Sequence, residues 1–435
     1  MKRIFLILGI LSLCLFGKTE IVAATTFTAV AAGGNWTTAA TWDVGTGYPV
    51  AGDTVIINAT MTGTVTINAA SACAVLNLTA NGGTLAFGTY TLTVSGLATL
   101  QGAMTATTGI LSVAGGVTLA GTPTGTFPTL SLTASQTLTG ATFTWGGALK
   151  FLSGTPTIVL PASNNWINTG LVTVSSATVL NATTGSPNQE SLTCNGGFTI
   201  GAGCSGTATI IMGGGTLSST GYSLVSNLTF NGNSTVSGTI YYYTGTITYV
   251  SGTVTTTNST LNLNNGNCTL KTRLVPDTGG ITWNNITIDY AATITLSSNL
   301  TCTGTLLFVA STVTFSGAYN ISCGTFRAYV TSAVKTLTFV AGQTLTATAG
   351  LKLEGTGNVT YTIKAPSTTT TYLNYTGTSA NCEVYKIIFT YVDASGSAQG
   401  IDNWYGGTLT NTTNITNRTS ADIGGGGTGF FTMGN

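Results

Sequence analysis

The chain has 435 residues and a formal net charge of +1, with only 5% charged side chains against 58 glycines. So little charge excludes a body faced with surface helices, and without a cluster of Lys or Arg no surface can follow a phosphate backbone, so nucleic acid is not expected as a partner. With no histidine anywhere, a Ser-His-Asp triad is impossible and the commonest metal ligand is missing.

Lys2 and Arg3 precede an apolar run from Ile4 to Phe16, and a polar stretch then leads to the small residues Val22, Ala23 and Ala24. This is the pattern of a secretory signal over residues 1–24. The run is too short to span a bilayer, and no later stretch offers the eighteen or so consecutive apolar residues a membrane span needs. The expected mature chain starts near Thr25 and is secreted, extracellular or held at the cell surface. Loss of Cys14 leaves Cys73, Cys194, Cys204, Cys268, Cys302, Cys323 and Cys382, an odd number. At least one therefore stays unpaired or pairs between chains. Cys194 with Cys204 is the pair best placed to bridge, and burial of the cysteines as small apolar side chains is an equally open reading.

Alternation of apolar and polar residues predicts strands at "TVTI" 64–67, "TLTV" 91–94, "LVTV" 171–174, "TLNL" 260–263 and "VTYTI" 359–363. Threonine, about a fifth of the chain, and Val, Ile and Tyr favour strands, while Gly, Asn and Ser fill the intervals. Helical patterns are missing from those intervals, which excludes βαβ units. Two architectures remain, a string of sandwiches and a solenoid. Repetition favours the solenoid: "TGTLLF" at 303–308 is echoed by "CGTFRA" at 323–328, about one coil of a parallel β-helix later. "SNLTF" at 226–230, "NNITI" at 284–288 and "LNLTA" at 76–80 are weaker echoes, and Gly238, Gly245 and Gly252 each precede Thr. The unequal spacing predicts an irregular β-solenoid whose coils vary in length.

Charge divides the chain. Residues 54–149 contain no charged side chain, and fifteen of the charged residues lie after position 270. The expected organisation is a signal over 1–24, an N-terminal cap over 25–57, a low-charge solenoid segment over 58–270, a second solenoid segment over 271–388, and a C-terminal cap and tail over 389–435. The seam is "KTRLVPDTGG", 271–280, and "APSTTTTY" at 365–372 reads as an excursion loop.

The mature N-terminus carries "GGNWTTAATWDVGTGYPVAGDTVIIN", residues 33–58. Its Asn35-Trp36, Trp42, Pro49 and Gly52-Asp53 followed by Val55-Ile56-Ile57 resemble the opening segment of secreted bacterial β-helix proteins of the autotransporter-passenger or adhesin kind. "FTYVDASGSAQGIDNWYGG", residues 389–407, is similar to the closing segment of that group. The resemblance implies an all-β, right-handed parallel β-helix, with Trp36 and Trp42 capping one end of the core and Trp404 and Tyr405 the other. Together the two motifs cover about 45 residues, and no C-terminal membrane barrel or cell-wall sorting motif accompanies them.

Candidate chemistry is sparse, and neither an enzyme nor a cofactor is expected. Asp393 and Asp402, with Glu383 near them in sequence, are the densest acidic group; they suit either a Ca²⁺ or acid/base site or plain turn formation. An alternative function, a polysaccharide lyase or hydrolase, needs carboxylates such as Asp277, Asp289, Glu354, Asp393 and Asp402 to converge. Fourteen of the sixteen tyrosines follow residue 220. "IYYYTGTITY", 240–249, places Tyr241 and Tyr243 outward if Ile240 faces the core, as a platform for weak glycan stacking or as ordinary sheet-surface rings. Thr-x-Thr strings at 244–248 and 253–257 raise ice binding as a minor alternative. The main expectation is a secreted structural or adhesive protein whose partners are glycans or cell-surface and matrix components.

Overall fold

Alternating Thr, Val, Ile and Leu become strands in the computed structural model, which describes residues 23–418 with short interruptions, the longest at 183–190 and 272–280. Among the described residues the only helical pieces are single 3₁₀ turns at Ala39–Thr41 and Ser379–Asn381. The strands pair in parallel and stack coil upon coil, so the protein is an all-β parallel β-solenoid. In the N-terminal part each coil lays strands on three faces in turn, as in Thr54–Ile57, Thr64–Thr66 and Ser71–Cys73. Thirteen strands, from Phe143–Trp145 to Leu409–Thr410, form one continuous face. At about 4.8 Å per strand step that face is on the order of 60 Å long.

Inward side chains stack into rows that run from coil to coil. Leu92, Leu111, Leu130, Leu149, Val172, Phe198, Leu217 and Val236 are consecutive partners, and each is buried. On the neighbouring face Val55, Leu76, Ala98, Val117 and Leu138 do the same. Each buried Leu or Val contributes about 1.5–3 kcal/mol relative to exposure, so the rows supply the main stabilisation. Aromatic rings take over near 308–339: Phe308 meets Phe326 edge to face at 5.7 Å, and Phe315 stacks on Phe339 at 5.5 Å.

The strand at Thr91–Val94 coincides with its sequence pattern, and the other four patterned segments lie on strands displaced by a residue or two. The strongest echo also lands in register, with Thr305, Leu306, Leu307 and Phe308 opposite Thr325, Phe326, Arg327 and Ala328. The weaker echoes do not stack on one another. Asn227–Asn231 belongs to the thirteen-stranded face, whereas Asn285–Ile288 belongs to another.

After residue 234 the corner between two faces straightens into one long strand, as in Ser234–Tyr242, Leu300–Val309, Ile321–Tyr329 and Thr344–Glu354. The register slips where these strands bend, between Cys302 and Thr305 and again between Cys323 and Thr325. Gly324 sits at the bend, where a Cβ would run into the carbonyl oxygen of Thr303. Only glycine lets adjacent coils approach so closely there. Residues 272–280 lie outside the described residues; the strand before them, Cys268–Lys271, pairs in parallel with Ala292–Leu296 of the next coil. Residues 365–370 connect the strands Tyr361–Lys364 and Thr371–Tyr375.

The two ends differ in chemistry. Thr26–Thr28 pairs with Thr54–Ile57 along one edge. Its other edge is covered by residues 41–43 running antiparallel, through Val30 N to Thr41 O at 3.0 Å and Asp43 N to Thr28 O at 2.9 Å. Trp36 and Trp42 are buried directly beneath. At the far end the inward row Phe308, Ala328, Leu353, Val384 passes into Asn403 and then Asn417, so the core gives way to an amide ladder. The Asn403 amide nitrogen donates to Asn417 Oδ1 at 2.9 Å and to Ile387 O at 2.7 Å. That ladder satisfies backbone groups where the apolar stack stops.

Candidate functional site

Two outward columns on the late coils gather most of the chemistry that the described surface offers. The first runs Arg327, Lys352, Glu383, Asp402, and the second runs Tyr329, Glu354, Tyr385, Trp404, Arg418. Strand alternation produces both: on Ile401–Trp404, Ile401 and Asn403 are buried while Asp402 and Trp404 are half-buried on the outer side. Both columns run along the stacking axis, one strand step at a time.

Charges in the strip are paired, once along the first column and twice between the columns. Lys352 Nζ lies 2.9 Å from Glu383 Oε1, Arg418 Nε 3.0 Å from Asp402 Oδ1, and Arg327 3.9 Å from Glu354 Oε2. All six side chains are a third or more exposed, so each pair is worth about 0–1 kcal/mol and shapes the surface more than it holds the fold. Cations also approach the rings: the Arg327 guanidinium is 5.4 Å from the Tyr329 centroid, and Lys386 Nζ is 5.3 Å from that of Tyr385. Lys386 holds a left-handed backbone, φ 54°, and its N–H bonds Trp404 O at 2.9 Å, which fixes the turn beside the two rings.

The other candidates fall as follows. Ile240 is buried, Tyr241 lies opposite Asn262 in the backbone register, and Tyr243 lies outside the described residues. Following that register from Tyr241 through Asn262, Thr287 and Leu307 leads into the column of Arg327. Trp36 and Trp42 are fully buried, with indole N–H groups donated to Pro49 O and Trp36 O. Trp404 faces outward on the strip, and Tyr405 lies outside the described residues.

Described carboxylates beyond the strip serve local structure. Asp53 accepts from Thr25 N and Val50 N, Asp43 from Thr28 N, and Asp393 from Ser395 N. Asp277 and Asp289 lie outside the described residues. Register brings Glu383 and Asp402 to neighbouring positions, each with its own cation. Cys194 is a free, fully buried thiol and forms no bridge, while Cys204 lies outside the described residues. Burial pushes the Cys302 thiol up to about 11 and the Cys73 thiol up to about 12, which keeps both neutral and unreactive.

The Thr-x-Thr strings do not stack on one another, since Gly245–Ser251 and Val254–Thr255 belong to different faces. Outward hydroxyls elsewhere bond across coils, Thr118 to Thr139 at 2.7 Å and Thr295 to Ser316 at 2.8 Å. Among the described residues no group of three His, Cys, Asp or Glu could hold a metal ion, and no helix is long and apolar enough to cross a membrane.

The class defined by this architecture is the parallel β-solenoid, with an aromatic and charged strip on its late coils. No family model, curated protein or solved structure matches the chain.

Proposed function

We propose that this is a secreted or cell-surface β-helix protein of the adhesin kind, a stiff rod with a structural and adhesive role that binds glycans weakly. The observation that carries this reading is the strip of half-buried Tyr329, Tyr385 and Trp404 beside paired charges, on a rod that otherwise presents hydroxyls and very little charge. Half-buried aromatic rings offer fixed apolar faces to sugars, and neighbouring ion pairs offer donors and acceptors to their hydroxyls. A panel of host glycans, plant and microbial polysaccharides and whole cells tests the reading. Binding to at least one class is expected, and uniformly absent binding leaves a structural role alone.

A second reading, polysaccharide cleavage on the same strip, is favoured by the neighbouring Glu383 and Asp402, because two nearby carboxylates are what glycoside hydrolysis requires. Against it stand Lys352 and Arg418, which engage those carboxylates directly. Release of reducing ends from a polymer panel, abolished in Glu383→Gln, supports cleavage; intact polymer after long incubation leaves adhesion.

A further inference from the structure

We infer that Tyr329, Tyr385 and Trp404, with the flanking Arg327, Lys352, Glu383 and Asp402, form the glycan site, and that its ligand is a neutral, extended polysaccharide chain lying along the stacking axis. This rests on the adhesive reading above and names its ligand class.

Three observations carry it. First, geometry dictates a linear ligand: the aromatic column follows the stacking direction, with Tyr385 and Trp404 one strand step apart and Tyr329 two steps before Tyr385. Two steps of about 4.8 Å match the length of one disaccharide in an extended β-linked chain, so rings so placed meet successive disaccharides on the same side. Second, charge selects a neutral ligand. Three of the strip's four cations, Arg327, Lys352 and Arg418, are matched by Glu354, Glu383 and Asp402, so an anionic polymer would have to displace a carboxylate at each of the three, and the fourth, Lys386, lies against the Tyr385 ring. A sugar hydroxyl instead both donates to a carboxylate and accepts from a guanidinium or ammonium, and needs no net charge. Third, the column is one residue wide, carries Glu354 between Tyr329 and Tyr385, and has further charge beside it. A protein partner would call for a broad apolar centre, whereas a single chain of sugars fits a strip.

Titration calorimetry of the full chain with cellohexaose and, separately, hexagalacturonate tests the inference. Cellohexaose is expected to bind in the micromolar-to-millimolar range with little dependence on salt. The variant Tyr385→Ala/Trp404→Ala is expected to lose about tenfold or more in affinity. Tyr90→Ala/Tyr319→Ala, which alters exposed rings away from the strip, is expected to change nothing. Undiminished binding by the folded strip variant overturns this site while leaving the adhesive reading intact. Tighter, salt-sensitive binding of hexagalacturonate overturns the neutral ligand class. No binding by the parent protein to these or to any glycan of the wider panel overturns both readings.

A second measurement does not depend on how the alanine variant folds. In a Trp166→Phe background the tryptophans other than Trp404, namely Trp36, Trp42, Trp145 and Trp283, are all buried, so the fluorescence response to cellohexaose is expected to come from Trp404. Trp404→Phe keeps an aromatic face and should keep binding while losing that response; a response that persists places the sugar elsewhere and overturns the site.

Discussion

The indole N–H of Trp42 donates to the backbone carbonyl of Trp36 at 2.9 Å, and the two rings meet edge to face with centroids 5.1 Å apart. The contact joins two segments that do different work. Trp36 extends the parallel pairing, through its own N–H to Thr66 O at 2.8 Å, while Trp42 lies in the antiparallel piece that covers the first strand. Phe27 completes the cluster, 6.1 Å from Trp42. One motif thus fills the core and occupies backbone groups that would otherwise invite pairing with another chain.

Removing residues 25–53 therefore exposes the next coil along an edge with almost no charge to protect it. The truncated protein is expected to aggregate, read by size-exclusion chromatography with light scattering. The single change Trp42→Ala is expected to cost about 3–5 kcal/mol in denaturant unfolding, as for other large buried aromatics. A monomeric, well-folded truncation would show that the end is sealed by other residues.

Alkaline pH should loosen the solenoid through its thiols. Burial raises Cys73 from 9.0 to about 12, helped by the Asp53 charge, and raises Cys302 and Cys382 to about 11, with Asp402 and Glu383 adding to the effect at Cys382. In the unfolded chain these thiols ionise near their ordinary value, so above it the unfolded state holds fewer protons than the native one. Stability is thus complete below about pH 9 and falls as pH rises toward about 12. The urea midpoint should decline over that window, and Cys73→Ala should reduce the slope. A midpoint independent of pH there would sink the argument.

Alternation tells inward from outward along a strand, which is why the inward rows of Leu and Val are legible in the sequence. It does not tell one face from another, since the same apolar spacing serves all of them; "SNLTF" and "NNITI" look alike yet pack on different faces. The echo at 303–308 and 323–328 succeeded because Leu306 and Phe326 share an inward row, while the bend at Gly324 offset the residues before it. The strip stayed hidden because Tyr329, Glu354, Tyr385 and Trp404 lie at unequal intervals and only coil-by-coil register aligns them. The crowding of tyrosines after residue 220 was its one trace in the sequence.

Asn403 ends the inward apolar row of the late coils in hydrogen bonds rather than in packed side chains. Its side chain accepts from Ile387 N at 3.2 Å and donates to Ile387 O, all within a fully buried position. Asn403→Ala leaves those two backbone groups without partners and should cost about 2 kcal/mol or more. Asn403→Leu, which restores volume but no hydrogen bonds, should not recover the loss. If Leu proves neutral, packing rather than the amide ladder holds this end.

Burial also separates two kinds of carboxylate. Asp53 is 5% exposed and uses both oxygens, accepting from Thr25 N and Val50 N at 2.9 Å each, so that it ties the residue before the first strand to the turn before Thr54. Glu383 holds Lys352 at the same distance but a third of its side chain meets water, where screening and side-chain entropy offset most of the attraction. Asp53→Ala is therefore expected to destabilise by about 1–3 kcal/mol, because buried charge-assisted bonds are lost and two N–H groups are left unpaired. A double-mutant cycle on Lys352 and Glu383 should give a coupling of about 0.5 kcal/mol or less. Comparable losses at the two sites would mean that the strip holds the fold together, and its ion pairs would then have to be read as structural rather than as a surface kept for sugars.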